Sequence, residues 1–326
     1  GRSYIDRLIL AVEMLRYGAP AACHWMGDRQ LGGALLAFGS EELKREILPK
    51  ILSGETYFGL GMSEPGAGSD LASTQTRAVE DGDYYIINGQ KTWTSGAHFA
   101  QYFYLVARTD LEVVPKHRGI SEFIVAASLP GITRIPMIDI TGSEAWNDVF
   151  FDNVRVPKRY LIGEKNRGFY QLLQQIDYER SGMERLMGNY TLFEDIVQFC
   201  KETKQNGKPL SLDPLIRNKL AQLQIEFEVG RLLIYRVALV MDEGHAPNWE
   251  AAMSKAYSTD FEKRLASTAI EILGPYGQLV AGSKLAPIQG SAPRSYLLSK
   301  GYSLQGGTTE ILKNIVATRG LGLSTK

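Results

Sequence analysis

Residues 60–70 read LGMSEPGAGSD, and the organisation of the whole chain turns on this stretch. It directly follows an apolar strand. Glycines at 66 and 68, the proline at 65 and several hydroxyls make a loop able to aim backbone N–H groups and hydroxyls at a polar, planar ligand. Taken alone, Gly66-Ala67-Gly68 reads equally as a wide turn with no ligand, because such loops are common.

On either side of this loop the texture of the chain differs. From Tyr57 to about residue 160 the sequence is rich in Gly, Thr, Val, Tyr and Phe and alternates as strands do, in TQTRAVE, DYYIING, YFYLVART, EFIVAAS and DVFFDNVRV. Asp81-Gly82-Asp83, Asn88-Gly89 and Pro130-Gly131 mark turns between them. Short strands at this spacing predict a closed antiparallel barrel or a sandwich. Upstream, residues 4–17 carry apolar residues at helical spacing. Gly18, Ala19 and Pro20 interrupt the pattern, 21–38 read as a second helix, and a short third one starts at Ser40. Downstream of Gly168 the texture is helical again, over 168–206, 213–243, 248–273 and 308–318. Asp213-Pro214 is a start signal, and Gly244 and Gly274-Pro275 are stops. Short loops between such helices imply an antiparallel bundle. The expected fold is therefore α+β and multidomain: helices over 1–56, a β-barrel over 57–163, and a helical bundle over 164–326.

Composition narrows the function classes. The 326 residues are 44% hydrophobic and 22% charged, with 36 Lys+Arg against 36 Asp+Glu. That balance, without a basic tract, argues against nucleic acid or an anionic membrane as the main partner. Cys23 and Cys200 form no CxxC pair and read as free core thiols. His24, His98, His117 and His245 are scattered without metal-ligand spacing. The most apolar segment, 229–241, is interrupted by Arg231 and Arg236, so no membrane helix is expected. No signal peptide is visible, and a bacterial-like cytoplasmic location is expected, with a mitochondrial matrix location left open.

Further motifs follow the glycine loop in order: Asn88-Gly89-Gln90-Lys91-Thr92-Trp93-Thr94-Ser95, then residues 148–157, then Leu161-Ile162-Gly163-Glu164, and finally Gly306-Gly307-Thr308-Thr309-Glu310-Ile311. In this order, from about residue 8 to 322, they resemble the acyl-CoA dehydrogenase family. The resemblance implies an N-terminal helical domain longer than residues 1–56 supply, a β-barrel and a C-terminal four-helix bundle. It also implies FAD as cofactor, and tetramers, homomeric or mixed, that share cofactor sites. The implied reaction is α,β-dehydrogenation of an acyl-CoA thioester to a trans-2-enoyl-CoA. A carboxylate takes the α-proton, the β-hydrogen leaves as hydride to the flavin, and an electron-transferring flavoprotein accepts the electrons.

The same resemblance places residues. Leu60, Met62, Ser63, Gly68 and Ser69 match the main flavin segment, with the Ser63 hydroxyl at the ring and Ser69 near the CoA moiety. Trp93, Thr94 and Ser95 match the wall on the other side of the flavin, although a buried tryptophan is more often packing. Glu271, Leu273 and Gly274 match a further cofactor stretch, where the family more often has Gln and Gly-Gly, so Pro275 departs from it. Thr308 and Glu310 match contacts after the Gly-Gly turn. Thr203 and Asn206 stand where many relatives have Arg and Phe reaching a neighbouring subunit's FAD.

The base needs its own argument. Many relatives place a catalytic Glu where this chain has Gly306, and glycine cannot take a proton. A second family arrangement puts the base on the first bundle helix in an Asp-x-Glu-Arg pattern, and Asp177-Tyr178-Glu179-Arg180 matches it. Independently, Leu172, Ile176, Glu179, Met183, Leu186 and Tyr190 recur at helical steps as one stripe. Glu179 is the carboxylate within that stripe, where burial is costly and raises basicity. A Glu–Arg pair is the plainer reading. Asp177 and Arg180 match substrate contacts, or form an intrahelical ion pair. Gly306 still offers its N–H to the thioester carbonyl, with Gly307 beside it.

Two other functions stay open on these residues. One is an acyl-CoA oxidase, which passes electrons to oxygen. The other is a non-catalytic FAD- or CoA-binding subunit of a mixed assembly, favoured by the missing Glu at 306 and the departures at 203, 206 and 275. Ala145-Trp146-Asn147-Asp148 resembles bacterial relatives, some acting on unusual acyl groups.

Overall fold

A computed structural model describes residues 2–21 and 24–324. Cys23 lies outside the described residues, and Cys200 is a buried free thiol. The chain divides into two compact units, residues 22–179 and residues 1–21 with 180–326. This division differs from the three-part reading of the sequence because the N-terminal helices pack in different places.

In the first unit, a π-helical turn over Trp25–Leu31 runs into α2 (Gly32–Phe38), followed by α3 (Glu41–Leu52); α1 (Tyr4–Arg16) belongs to the other unit. Ser40 caps α3, its hydroxyl accepting the Leu43 N–H at 3.2 Å. The strands are β1 (Phe58–Gly61), β2 (Arg77–Asp81), β3 (Tyr84–Lys91), β4 (Tyr102–Arg108), β5 (Ile120–Ala126), β6 (Ile132–Met137), β7 (Trp146–Pro157) and β8 (Leu161–Ile162). They form one sheet in the order β6-β7-β3-β2-β4-β5-β8, with β1 beside β4. Most pairings are antiparallel as expected, but β1 and β2 both pair with β4 in parallel. Gly82-Asp83 turns between β2 and β3, whereas Asn88-Gly89 is no turn: it lies inside β3 as a bulge opposite β7.

Alternate residues of β2, β3, β4, β5 and β7, among them Ile87, Phe103, Leu105, Phe123 and Val149, face one shared apolar interior. The opposite face of β4 and β5 (Tyr104, Val106, Ile120, Ile124) packs with Leu31, Leu35, Leu43 and Ile47 of the preceding helices. It also packs with Leu172 of α4 (Gly168–Arg180). Burial on both faces corrects the reading of these two strands as alternating: residues 102–107 of β4 and 123–126 of β5 are continuous apolar runs.

The second unit is helical: α1, α5 (Glu184–Met187), α6 (Tyr190–Glu202), α7 (Pro214–Asp242), α8 (Asn248–Leu273), α9 (Ser291–Tyr302) and α10 (Thr309–Ile315). Leu8 of α1 joins the core formed by Leu186, Ile196, Phe227, Ile234, Phe261 and Leu265. The Asp213 carboxylate caps α7 by accepting the Leu215 and Ile216 N–H groups at 2.8 and 3.2 Å, and α8 stops at Gly274 as the sequence indicates.

Three expectations are corrected. The helix read over 168–206 is three helices, interrupted at 181–183 and again at Gly188-Asn189, where Ser181, Gly182, Gly188 and Asn189 are poor helix formers. The single stripe through Glu179 is accordingly divided: Leu172 and Ile176 pack in the sheet unit, Met183, Leu186 and Tyr190 in the bundle. A small hairpin, β9 (Lys204–Gln205) and β10 (Lys208–Pro209), occupies 204–209. Its Asn206-Gly207 turn has φ of 51° and 77°, the left-handed pair that two-residue hairpins require. Helix α9, poor in helix-favouring residues at its start, was not expected from the sequence.

Candidate active site

The loop after β1 is fixed by a buried ion pair. Lys91, on β3, is fully buried, and its ammonium donates to Glu64 Oε1 at 2.8 Å and to the Met62 carbonyl at 2.9 Å. Glu64 also accepts the Gln75 N–H at 2.6 Å and the Thr76 N–H at 2.9 Å. Thr92 N–H donates to the Ser63 carbonyl at 2.9 Å. Burial pulls Lys91 down to about 8 against the attraction of Glu64. Burial raises the Glu64 carboxyl, but Lys91 and the hydrogen bonds outweigh it and hold it below its ordinary value. Downstream, the Arg108 guanidinium donates to the carbonyls of Ala72, Thr74 and Lys116.

These anchors have a directional consequence. With the Met62 carbonyl held by Lys91, the N–H of Ser63 in the same planar peptide points the other way. Around Gly66 and Gly68 the space a Cβ would take is open, and Gly68 and Ser69 are exposed. Leu60 and Met62 are half-buried against the helix-covered face of the sheet.

Trp93 has φ of 58° and is 61% exposed, so the reading of this indole as core packing does not hold. Its ring meets Trp146 edge-on at 6.3 Å. The next residue is pinned: Thr94 and Asn147 exchange both backbone hydrogen bonds, at 3.0 and 3.1 Å. Gly96 N–H donates to the Ala145 carbonyl at 2.9 Å. Thr94 is fully buried and Ser95 half-buried. An exposed indole, an open glycine loop and an outward Ser63 N–H on one unit fit a planar, polar-edged group such as a flavin.

The last turn of α4 is polar and buried: Asp177, Glu179 (7% exposed) and Arg180 all lie out of solvent. The first two belong to the sheet unit with the 60–69 and 93–95 segments, and Arg180 belongs to the bundle unit. There Arg180 Nε donates to the Gly306 carbonyl at 2.8 Å. The buried Lys255 ammonium donates to the Gly307 carbonyl at 2.7 Å. Gly306 and Gly307 have φ of 65° and 105°, and a Cβ at 307 would stand 2.8 Å from Arg180 Nη2. Thr308 caps α10 through its hydroxyl, and Glu310 is exposed. Glu271 is exposed and ion-paired with Lys219 of α7. The Leu273 side chain packs in the bundle core, and Gly274, at φ of 58°, ends α8 with its N–H donated to the Glu271 carbonyl. Thr203 leads into the β9–β10 hairpin and Asn206 lies at its turn.

Sequence reasoning missed Glu64 and Arg108, which anchor the backbone after β1, and Lys255, which anchors the Gly306-Gly307 turn in the other unit. A lone buried cation announces itself only through its partner, and each partner here is distant in sequence or is a backbone carbonyl.

Residues 1–55, 59–154 and 166–321 match, respectively, the N-terminal, middle and C-terminal domains of acyl-CoA dehydrogenases. The chain is 32% identical to acyl-CoA dehydrogenase FadE26 of Mycobacterium tuberculosis over 99% of its own length and 82% of that protein's. Among solved structures, the Tcur3481-Tcur3483 steroid ACAD superposes with a TM-score of 0.90 at 33% identity, covering 100% of this chain and 83% of that one. The ChsE4-ChsE5 complex from Mycobacterium tuberculosis superposes with a TM-score of 0.91 at 31% identity, covering 100% and 84%. With all three domain matches in order and relatives this similar along its full length, the chain belongs to the acyl-CoA dehydrogenase family, a family of FAD-dependent oxidoreductases.

Proposed function

We propose that this protein removes the α-proton and β-hydrogen of an acyl-CoA thioester to form a trans-2-enoyl-CoA, with Glu179 as the base. The observation that carries the reading is Glu179 itself. It is a buried carboxylate on the last turn of α4, in a chain whose residue 306 has no side chain to take a proton. A carboxylate kept from water is a stronger base than a solvated one. Gly306 N–H polarises the thioester oxygen as charge develops on it. Ser63, Ser69 and Trp93–Ser95 hold and orient the flavin and CoA, together with the 271–274 and 308–310 segments, while Asp177, Arg180 and Gly307 border the substrate. FAD, when bound, supplies the acceptor for the β-hydrogen and its electron pair.

Electron-transferring flavoprotein is the proposed acceptor. A relative from Acetobacterium woodii is named as a subunit of a caffeyl-CoA reductase-Etf complex. The proposed acyl group is bulky, in keeping with the similar solved structure that is described as a steroid ACAD. The assembly is a homotetramer or a mixed tetramer. Ile225, Val229, Leu232 and Leu239 form an exposed apolar stripe on α7 suited to subunit contact. No helix among the described residues is long and apolar enough to cross a membrane, and the proposed setting is the bacterial cytoplasm.

The test is anaerobic mixing of the FAD-loaded protein with a panel of acyl-CoA thioesters, following loss of flavin absorbance. Bleaching by at least one thioester, with enoyl-CoA formed in equal amount, is the expected result. Full FAD occupancy with no bleaching by any member would favour the non-catalytic subunit instead, and rapid reoxidation by air would favour an oxidase.

A further inference from the structure

Of the three glutamines of helix α4, Gln171 and Gln175 stand one turn apart and are treated very differently by the fold. Gln171, 6% exposed, is fully employed: its Nε2 donates to Glu122 Oε2 at 2.9 Å and to the Ile162 carbonyl at 3.0 Å, and its Oε1 accepts the Glu164 N–H at 3.2 Å. Gln175 is more deeply buried, at 2% exposed, yet neither its Oε1 nor its Nε2 has a hydrogen-bond partner. Buried polar groups are nearly always satisfied, because one left without a partner keeps the full penalty of leaving water. Its neighbours Leu172 and Ile176 pack in an apolar core, so a leucine or methionine would serve packing better than an amide.

The position of Gln175 points to its partner. It lies four residues before Glu179, on the same helix face, roughly 6 Å along the axis at about 1.5 Å per residue. Another buried atom without a partner, Gln30 Oε1, stands in the π-helical turn that runs into α2, and Leu31 of that turn and Leu35 of α2 share the core with Leu172. An amide offers both a donor and an acceptor, so it accommodates a keto or a hydroxyl oxygen equally.

We propose that Gln175 is a specificity-determining residue, whose carboxamide binds a keto or hydroxyl oxygen carried on the acyl chain a few carbons beyond the reacting α-carbon. The natural substrate is then an oxygenated acyl-CoA rather than a plain fatty acyl-CoA. The proposal rests on the reading of Glu179 as the base. It predicts selectivity of an asymmetric kind, because a site built to pair an oxygen leaves its own buried amide unsatisfied when the oxygen is missing.

The test uses the FAD-loaded protein, octanoyl-CoA, and two series of octanoyl-CoA thioesters bearing a keto or a hydroxyl group at successive chain positions. Binding is read by calorimetry, so turnover is not needed. The parent should bind at least one oxygenated thioester about tenfold or more tighter than octanoyl-CoA, and the series that responds identifies the oxygen. Gln175→Leu should remove that preference while leaving octanoyl-CoA affinity equal or better and the Tm equal or higher. Gln175→Met, which keeps the unbranched shape, should behave alike. Absence of any preference in the parent overturns the proposal, as does its survival in both variants. A lower Tm with all thioesters weakened together would also overturn it, since that is the signature of an amide holding a structural water. A preference present in the parent, lost in the variants, but accompanied by no flavin reduction would count against Glu179 and leave Gln175 standing.

Discussion

Lys255 Nζ donates to the carbonyl oxygen of Gly307 at 2.7 Å, and Arg180 Nε donates to the carbonyl of Gly306 at 2.8 Å. Two cations thus hold consecutive carbonyls of one glycine turn, which points the N–H groups of Gly307 and Thr308 the other way and fixes the turn that carries the Gly306 N–H. Lys255→Met keeps the bulk and removes this anchor. Flavin reduction should slow by about 10–100-fold, with FAD content unchanged, as expected for loss of one positioned donor set. Lys255→Gln, which can still donate, should recover part of the rate. Equal losses in both variants would show that charge or packing, and not the hydrogen bond, is what matters. Pre-steady-state reduction against FAD absorbance separates these outcomes.

The Lys91–Glu64 pair makes a second prediction. Lys91→Met leaves a buried carboxylate unpaired and should cost about 3–5 kcal/mol in denaturant unfolding. Replacing both partners, Lys91→Met with Glu64→Met, should recover most of that stability. It should not recover tight FAD binding, because the Met62 carbonyl is still released. A double variant that binds FAD as well as the parent would show that the pair serves stability alone.

Glu122 predicts a pH dependence. It is fully buried on β5, and burial pushes its carboxyl up to about 7 from 4.5, against the pull of Tyr104 and Gln171. A raised carboxyl binds its proton more tightly in the folded state. Its contribution to stability is therefore complete below about pH 4.5 and is lost as pH rises through about 7. At ~1.4 kcal/mol per pH unit this interval is worth at most about 3.5 kcal/mol. Glu122→Gln should be flatter than the parent in urea titrations between pH 5 and pH 8, and more stable relative to it at the upper end. Parallel curves for the two proteins would mean that Glu122 is ionised throughout.

Glu179→Gln should retain FAD and acyl-CoA affinity while cutting flavin reduction by about 10²–10⁴-fold, the usual loss with a general base. The effect belongs in kcat rather than KM, since the base acts only in the chemical step. Adding Gly306→Glu to this variant should restore part of the rate, although the left-handed φ at 306 costs a side chain about 1–2 kcal/mol. Parental reduction rates in Glu179→Gln would move the search to Asp177.

The sequence by itself determined the family, the order of helical, β and helical segments, most strand positions, the caps at Asp213 and Gly274, and Glu179 as the candidate base. These rest on local chemistry: alternation, helical period, turn residues and contiguous motifs, each legible within about a dozen residues. It did not determine that α1 packs with the bundle while α2 and α3 cover the sheet, nor that Asn88-Gly89 bulges within a strand. At one further point the signal is local, since Asn206-Gly207 is itself a hairpin marker. Only the tertiary structure decided that Lys91 reaches Glu64, that Lys255 and Arg180 hold the Gly306-Gly307 turn, and that Gln175 is buried without a partner while Gln171 is fully bonded. A hydrogen bond across the fold depends on where two distant backbones meet, and no local pattern of residues encodes that distance.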